Sequence, residues 1–210
     1  MSEALSPDIY ASNSSVKLDD RTLVELSKHG DSAALERLIL RYQNRIYNVI
    51  LKICANSDDA AELTQQTFVK IIENLNDFKQ RSGFYTWAFR IAVNLTLSYC
   101  KRKAKFGLSS LDEQVQPNNP GARKALKQFL ENESAPDPAA VAQNKELCEL
   151  VVRQLNKLTD EHRTVLILRD VEGMEYNQIA KILGVELGTV KSRISRARGA
   201  LKQILEGFLK

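Results

Sequence analysis

Tyr176-Asn-Gln-Ile-Ala-Lys-Ile-Leu-Gly184-Val185, followed by Leu187-Gly-Thr-Val-Lys-Ser-Arg-Ile194, is the stretch on which the reading of the fold turns. Ile179, Ala180 and Leu183 give a short helix its apolar side, Gly184 supplies the left-handed residue that ends it, and Val185 packs in the turn. In the segment after it, side chains follow one another at about 100°, so Val190, Ile194, Ala197 and Leu201 gather within about 60° as one buried stripe. Lys191, Ser192, Ser195 and Arg196 fall opposite that stripe, and Arg193 and Arg198 flank it. The pattern is a helix-turn-helix whose open face carries cations and hydroxyls, the groups that bond phosphate oxygens and base edges. A basic face alone would suit a solvated helix capping a bundle. The short helix before it, the glycine turn and the absence of acid from Thr189 to Lys202 together favour DNA, with Glu186 at the N-cap as the one acid beside that face.

Working outward, the same three-and-four spacing of apolar residues recurs and strand alternation does not. Leu23, Leu26, Leu35, Leu38, Ile39, Tyr42, Ile46, Val49, Ile50 and Ile53 mark helices from Asp19 onward, with a stop and restart at Gly30-Asp31-Ser32. A second restart falls at Asn56-Ser57-Asp58, where Ser57 or Asp58 is the expected N-cap. A third helix is expected over Asp58–Asn76 with Ala61, Phe68, Ile71, Ile72 and Leu75 inward, and a fourth over Thr86–Lys103. Four of the five prolines (Pro117, Pro120, Pro136 and Pro138) lie between Phe106 and Gln143, a linker with room for one short helix over Ala122–Glu133. Helix-period segments then cover Asn144–Leu158, Asp160–Val171, Tyr176–Leu183 and Leu187–Leu209. The expected architecture is all-α: a loose tail (1–18), a helical domain (19–105), a flexible linker (106–143) and a second helical domain (144–210) that carries the helix-turn-helix.

Composition sets the outer limits. A chain of 210 residues with 43% hydrophobic and 27% charged residues has cores to bury and is neither disordered throughout nor collagen-like. No apolar run reaches the roughly 18 residues of a membrane span, and the N-terminal residues form no signal peptide, so a cytoplasmic protein without membrane insertion is expected. Cys54, Cys100 and Cys148 are far apart in sequence and form no CxxC pair, so reduced thiols and no metal or cofactor are expected.

The net charge is only +4, but its distribution is uneven. Seven basic residues and no acid lie between Lys79 and Lys105, and five with no acid between Thr189 and Lys202. Two such segments in a nearly neutral chain suit a polyanion. The preceding stretch is the reverse, with Asp58, Asp59, Glu62, Glu73 and Asp77 against Lys70 alone, which points to a protein partner. Within the first basic segment, Phe78-Lys-Gln-Arg-Ser-Gly-Phe84-Tyr85-Thr-Trp87-Ala-Phe89-Arg90-Ile-Ala-Val-Asn94 holds five of the fourteen aromatics and the single tryptophan. Aromatics at helical spacing are ordinarily core. Interleaved with Arg81, Arg90 and Lys101-Arg102-Lys103, and preceded by a glycine-containing loop, they also suit stacking on unpaired bases.

Four strings in order resemble the sigma-70 family of bacterial transcription initiation factors, specifically its extracytoplasmic-function (ECF) group. They are Asp59-Ala-Ala-Glu-Leu-Thr-Gln-Gln-Thr-Phe68, Phe84-Tyr-Thr-Trp-Ala-Phe-Arg-Ile-Ala-Val-Asn94, Glu161-His-Arg-Thr-Val-Leu-Ile-Leu-Arg-Asp-Val-Glu-Gly173 and Gly188-Thr-Val-Lys-Ser-Arg-Ile-Ser-Arg-Ala-Arg198. The resemblance covers about residues 20 to 105 and 144 to 208. It implies a subunit that binds core RNA polymerase, through the clamp coiled coil of the largest subunit and through the flap, and directs initiation at promoters, as in a stress or envelope response. Residues 19–105 would be the region 2 domain and 144–210 the region 4 domain.

On that resemblance Asp59, Glu62, Gln65, Gln66 and Phe68 would dock on the polymerase, with Gln66 standing where the family usually has an acid. Phe78, Lys79, Arg81, Ser82, Gly83, Phe84, Tyr85, Trp87, Arg90, Asn94, Lys101 and Arg102 would read and open the minus-ten element, with an extruded base beside Asn94. Lys79-Gln80-Arg81 departs from the commoner loop string. Thr189, Lys191, Ser192, Arg193, Ser195, Arg196 and Arg198 would meet double-stranded DNA at the minus-thirty-five element, Ser195 being smaller than the residue common there. An anti-sigma factor that covers the DNA-binding faces is implied too.

The competing reading is a stand-alone helix-turn-helix regulator that needs no polymerase. A nucleic-acid-modifying enzyme would need a catalytic constellation, and none is legible: His29 and His162 have no triad or metal partner nearby in sequence, and there is no P-loop.

Overall fold

The computed structural model describes residues 18–105 and 153–209, and among these the regular structure is helical. In chain order the elements are α1 (Asp20–Lys28), α2 (Ser32–Cys54), α3 (Ser57–Glu73), α4 (Phe84–Lys105), α5 (Asp160–Leu166), a π-helical turn (Ile167–Val171), α6 (Tyr176–Leu183) and α7 (Leu187–Leu209). The expected tail, the linker with its Ala122–Glu133 helix, the start of the Asn144 segment and Cys148 lie outside the described residues. No described helix is long and apolar enough to cross a membrane.

Short polar side chains set the helix starts. Asp19 accepts from the Thr22 amide at 2.8 Å, Asp31 from Ala33 and Ala34 at 2.9 and 3.0 Å, and Asn56 from Asp58 and Asp59 at 3.0 and 2.9 Å. The cap of α3 is therefore Asn56 rather than Ser57 or Asp58. Ala55, at φ +58, turns the chain out of α2, and extended Asn56 brings its amide oxygen over the first free N–H groups. Helix α4 starts at Phe84, two residues before the expected Thr86.

The inward face of α3 also differs from expectation. Ala60, Leu63, Thr67 and Ile71 are buried, whereas Ala61 and Ile72 face outward, Ile72 with 45% of its surface exposed. Thr67 hides its hydroxyl by donating to the Leu63 carbonyl at 2.7 Å, so a polar residue completes a stripe that apolar counting passes over. The expected single helix over Asp160–Val171 is likewise divided. After Leu166 the Glu172 amide reaches back five residues to the Ile167 carbonyl at 2.9 Å, and Gly173 at φ +67 ends the turn.

The two helix sets pack together. Helix α6 lies along α4, and α5 and the π-helical turn rest on α2 and α4, so one buried core runs through both sets. Phe89, Ile46, Ile50 and Ile53 of the first set and Ile167, Leu168, Met174 and Ile179 of the second are all fully buried. Two arginines tie the seam. Arg45 meets the Glu172 carboxylate at 2.7 Å while its guanidinium lies 4.5 Å from the Tyr85 ring centroid. Arg163, 8% exposed, donates to the Ile53 carbonyl at 2.6 Å, to Leu158 at 3.2 Å and to Asp160 Oδ1 at 3.1 Å.

Arg163→Met retains the aliphatic stem but leaves the Ile53 and Leu158 carbonyls buried without this donor. Stability should fall by about 2 to 4 kcal/mol. Urea unfolding measures this, and a loss under about 0.5 kcal/mol would mean water replaces the guanidinium.

Candidate promoter and polymerase interface

Helix α7 is held from one side only. Val190, Ile194, Ala197 and Leu205 are buried, and Leu201 and Ile204 are half-buried. Lys191, Ser192, Ser195 and Arg196 are exposed together on the opposite side, so the structure places all four where the helical period puts them. Arg196 is laid along its own helix, donating to the Ser192 hydroxyl at 3.2 Å and carbonyl at 3.3 Å, while Ser192 donates to Thr189 at 3.0 Å. Half-buried Thr189 thus contributes its backbone at the edge of the face. Arg193 and Arg198 are spoken for differently: Arg193 meets Glu161 at 3.5 Å and Arg198 meets Asp170 at 2.6 Å, so both brace α7 against α5 and the π-helical turn.

Beside Lys191 is a hollow of about 280 Å³ lined also by Arg169, Glu175, Tyr176, Asn177 and Leu187. Arg169 lies 4.8 Å from the Tyr176 ring centroid and donates to the Met174 carbonyl at 2.8 Å, which holds a second cation near the α7 face. Sequence reading missed Arg169 because it stands outside both acid-free segments, next to Asp170.

The aromatic segment divides in the same way. Phe78 (5% exposed) and Phe84 are buried, Phe78 stacks on Trp87 at 4.6 Å, and Phe84 lies 5.8 Å from Trp87. Tyr85 is on another side of α4, against Arg45 and 4.3 Å from the Phe89 ring. Burial pushes its phenol up to about 12, and its hydroxyl is enclosed without a hydrogen-bond partner. Trp87, Arg90, Asn94 and Lys101 instead fall within about 60° of one another along α4. Trp87 is half-buried and the other three are exposed. Lys79, Arg81, Gly83 and Arg102 are exposed and Ser82 half-buried, so the loop offers its cations next to this strip.

On α3 the open face is Asp58, Glu62, Gln65, Val69 and Ile72, with Gln66 at its edge bonded to Glu62 at 2.8 Å. Val69, 48% exposed, and Ile72 add an apolar strip that sequence reading assigned to the interior or overlooked. Phe68 is half-buried at the margin. Asp59 turns to α4 and pairs with Lys103 at 2.9 Å. Burial pushes its carboxyl up, but hydrogen bonds from Lys103 and Tyr99 and the lysine charge outweigh that and hold it below the usual carboxylate range. Among the described residues no three His, Cys, Asp or Glu side chains are grouped to hold a metal ion.

Comparison with known proteins gives a consistent picture. Residues 38–106 match the family model for sigma-70 region 2 and residues 148–201 the model for sigma-70, region 4. The chain is 31% identical to the ECF RNA polymerase sigma-E factor of Escherichia coli K12, over 93% of this chain and 99% of the relative. It is 30% identical to the RNA polymerase sigma-H factor of Pseudomonas aeruginosa, over 91% and 96% of the two chains. Among solved structures, CnrH bound to the cytosolic domain of CnrY aligns with a TM-score of 0.61 at 23% identity, covering 90% of this chain and 97% of that one. The sigma factor RpoE of Bartonella quintana, solved with the anti-sigma factor NepR, aligns at 0.56 and 22% identity, covering 81% and 96%.

The Asp59 pair carries a pH signature. Because the folded carboxyl sits below its unfolded value, its contribution is present above the unfolded pKa and is lost as pH falls through the folded one. In Lys103→Met the loss of unfolding free energy between neutral pH and pH 3 should be smaller than in the wild type, by about 0.5 to 1 kcal/mol. Denaturant titrations at the two pH values measure it, and equal losses would show that the pair contributes nothing.

Proposed function

The chain belongs to the sigma-70 family of RNA polymerase sigma factors, in its extracytoplasmic-function group, and from that membership we propose how its surfaces divide the work of initiation. A sigma factor directs promoter recognition by core RNA polymerase. Here the open face of α7, Lys191, Ser192, Ser195 and Arg196, enters the major groove at the minus-thirty-five element. Arg169 meets the flanking phosphates, while Arg193 and Arg198 keep α7 in place. The loop cations Lys79 and Arg81 and the α4 strip Trp87, Arg90, Asn94 and Lys101 take the minus-ten element, with the opened strand stacking against Trp87 and an extruded base held beside Asn94. The α3 face of Glu62, Gln65, Val69 and Ile72 docks on the clamp coiled coil of the largest polymerase subunit, and Asp59 acts through Lys103 to hold α3 against α4.

The single observation that carries this reading is the coexistence of two exposed basic strips, one on each helix set, with an acidic and apolar face on a third helix. Duplex reading, strand capture and polymerase docking need these three surfaces at once. The protein contributes binding and no bond-making chemistry, and works in the cytoplasm where polymerase and chromosome meet. An anti-sigma partner of the kind solved with the Bartonella sigma factor would silence it by covering these faces.

Run-off transcription on a promoter library with core polymerase from the source organism should yield specific transcripts only when this protein is added. Protein-dependent DNA binding without transcripts, from core shown to be active, would make it a stand-alone regulator. On a promoter so selected, Arg196→Ala should lose about 1 to 3 kcal/mol of discrimination at one minus-thirty-five position. A loss uniform across sequences would reassign Arg196 to phosphate.

A further inference from the structure

Helix α1 takes no part in the surfaces just described, yet it is fastened to the minus-ten loop at two points. Lys28, in the last turn of α1, donates from Nζ to the Phe78 carbonyl at 2.8 Å and lies 5.9 Å from the Phe78 ring centroid. Glu25, one turn earlier, accepts from the Gln80 side-chain amide and sits 3.6 Å from Lys28 Nζ, so one carboxylate links both fastenings. Gln80 is in the left-handed region at φ +52, one of two non-glycine residues with positive φ among those described. A glutamine there carries a backbone cost that the charge-assisted bond to Glu25 offsets.

The consequence lies in alternation. Phe78 is buried and half-buried Gln80 is tied to α1, while Lys79 and Arg81, between and after them, are exposed. The chain is thereby set with its cations outward and with Phe78 stacked on Trp87, the ring proposed to meet the opened strand.

We propose that α1 is a brace that presets the promoter-opening loop, with Lys28 and Glu25 as positioning residues that need not touch DNA. This rests on the assignment of the loop to the minus-ten element. A loop fixed before DNA arrives loses little conformational freedom on capturing a strand, whereas a released loop must be ordered at that moment.

The test uses holoenzyme assembled with wild type, Lys28→Met, Lys28→Arg and Glu25→Ala. Two probes are used: a single-stranded oligonucleotide carrying the non-template minus-ten sequence, and a duplex carrying only the minus-thirty-five element. Lys28→Met and Glu25→Ala should each bind the single strand about tenfold more weakly. Binding to the duplex and to core polymerase should be unchanged, and Lys28→Arg should recover most of the loss. The slope of log affinity against log salt should match the wild type. A slope lower by about one in Lys28→Met would make Lys28 a direct phosphate contact and overturn the brace. Unchanged single-strand affinity, or an equal loss of core binding, would overturn it as well. Failure of the wild-type holoenzyme to bind the single strand at all would instead remove the loop assignment, and the brace with it.

Discussion

The guanidinium of Arg163 sits where the C-terminal end of α2, the turn before α5 and the start of α5 converge, and the joint between the two helix sets depends on it. Helix α2 ends with carbonyls that have no partner within the helix, and a cation there satisfies both their hydrogen bonding and the negative end of the helix dipole. Arg163 reaches the Ile53 carbonyl across 110 residues of sequence, and Asp160 balances its charge. One nitrogen, Nε, is enclosed without a partner, so the site is satisfied on most sides rather than all. Farther along the seam, Arg45 and Glu172 form the second tie, with the carboxylate side chain only 8% exposed. With these fixed, α4 is held between α2 and α3 on one side and α6 on another. What remains uncovered is the strip of Arg90, Asn94 and Lys101.

The same economy sorts the other basic residues. Arg41 pairs with Asp20 at 2.6 Å, Lys103 with Asp59, Arg193 with Glu161 and Arg198 with Asp170, and each of these pairs joins two segments of the chain. Such cations serve the fold. Lys191, Arg196, Arg90, Lys101, Lys79 and Arg81 form no such ion pair among the described residues and lie exposed on two strips. A charge count along the sequence mixes both sets, whereas the structure separates them by whether a carboxylate from another element is within reach.

Legibility in the sequence followed the range of the interactions. The helix-turn-helix and the open face of α7 were readable because they depend on residues three and four apart and on one left-handed glycine, Gly184 at φ +65. The helical class and most element boundaries were readable for the same reason. The α3 register was not, because Thr67 buries a polar side chain by bonding its own helix. Neither was the division of Asp160–Val171, since a five-residue hydrogen bond leaves no trace in an apolar period. The role of Tyr85 in the seam, the ties of Arg45 and Arg163 to other elements, and the link from α1 to the loop join residues 40 or more apart. No local pattern announces such pairs.

The two surfaces proposed to face DNA also differ in how freely they can change over evolutionary time. Lys191, Ser192, Ser195 and Arg196 are exposed on a helix whose stability comes from the opposite side, so exchanging them perturbs folding by no more than about 0.5 kcal/mol each. The proposed minus-ten strip has exposed Arg90, Asn94 and Lys101 as well, but its ring Trp87 packs on Phe78 and Phe84 of the core, so truncating the buried phenylalanines would cost about 3 to 5 kcal/mol. In that proposed assignment the minus-thirty-five half of the promoter code is written on replaceable side chains and the minus-ten half partly in the packing of the fold. Divergence of target sequence among descendants of such a chain has an open route through α7 and a narrower one through Trp87 and the rings packed against it.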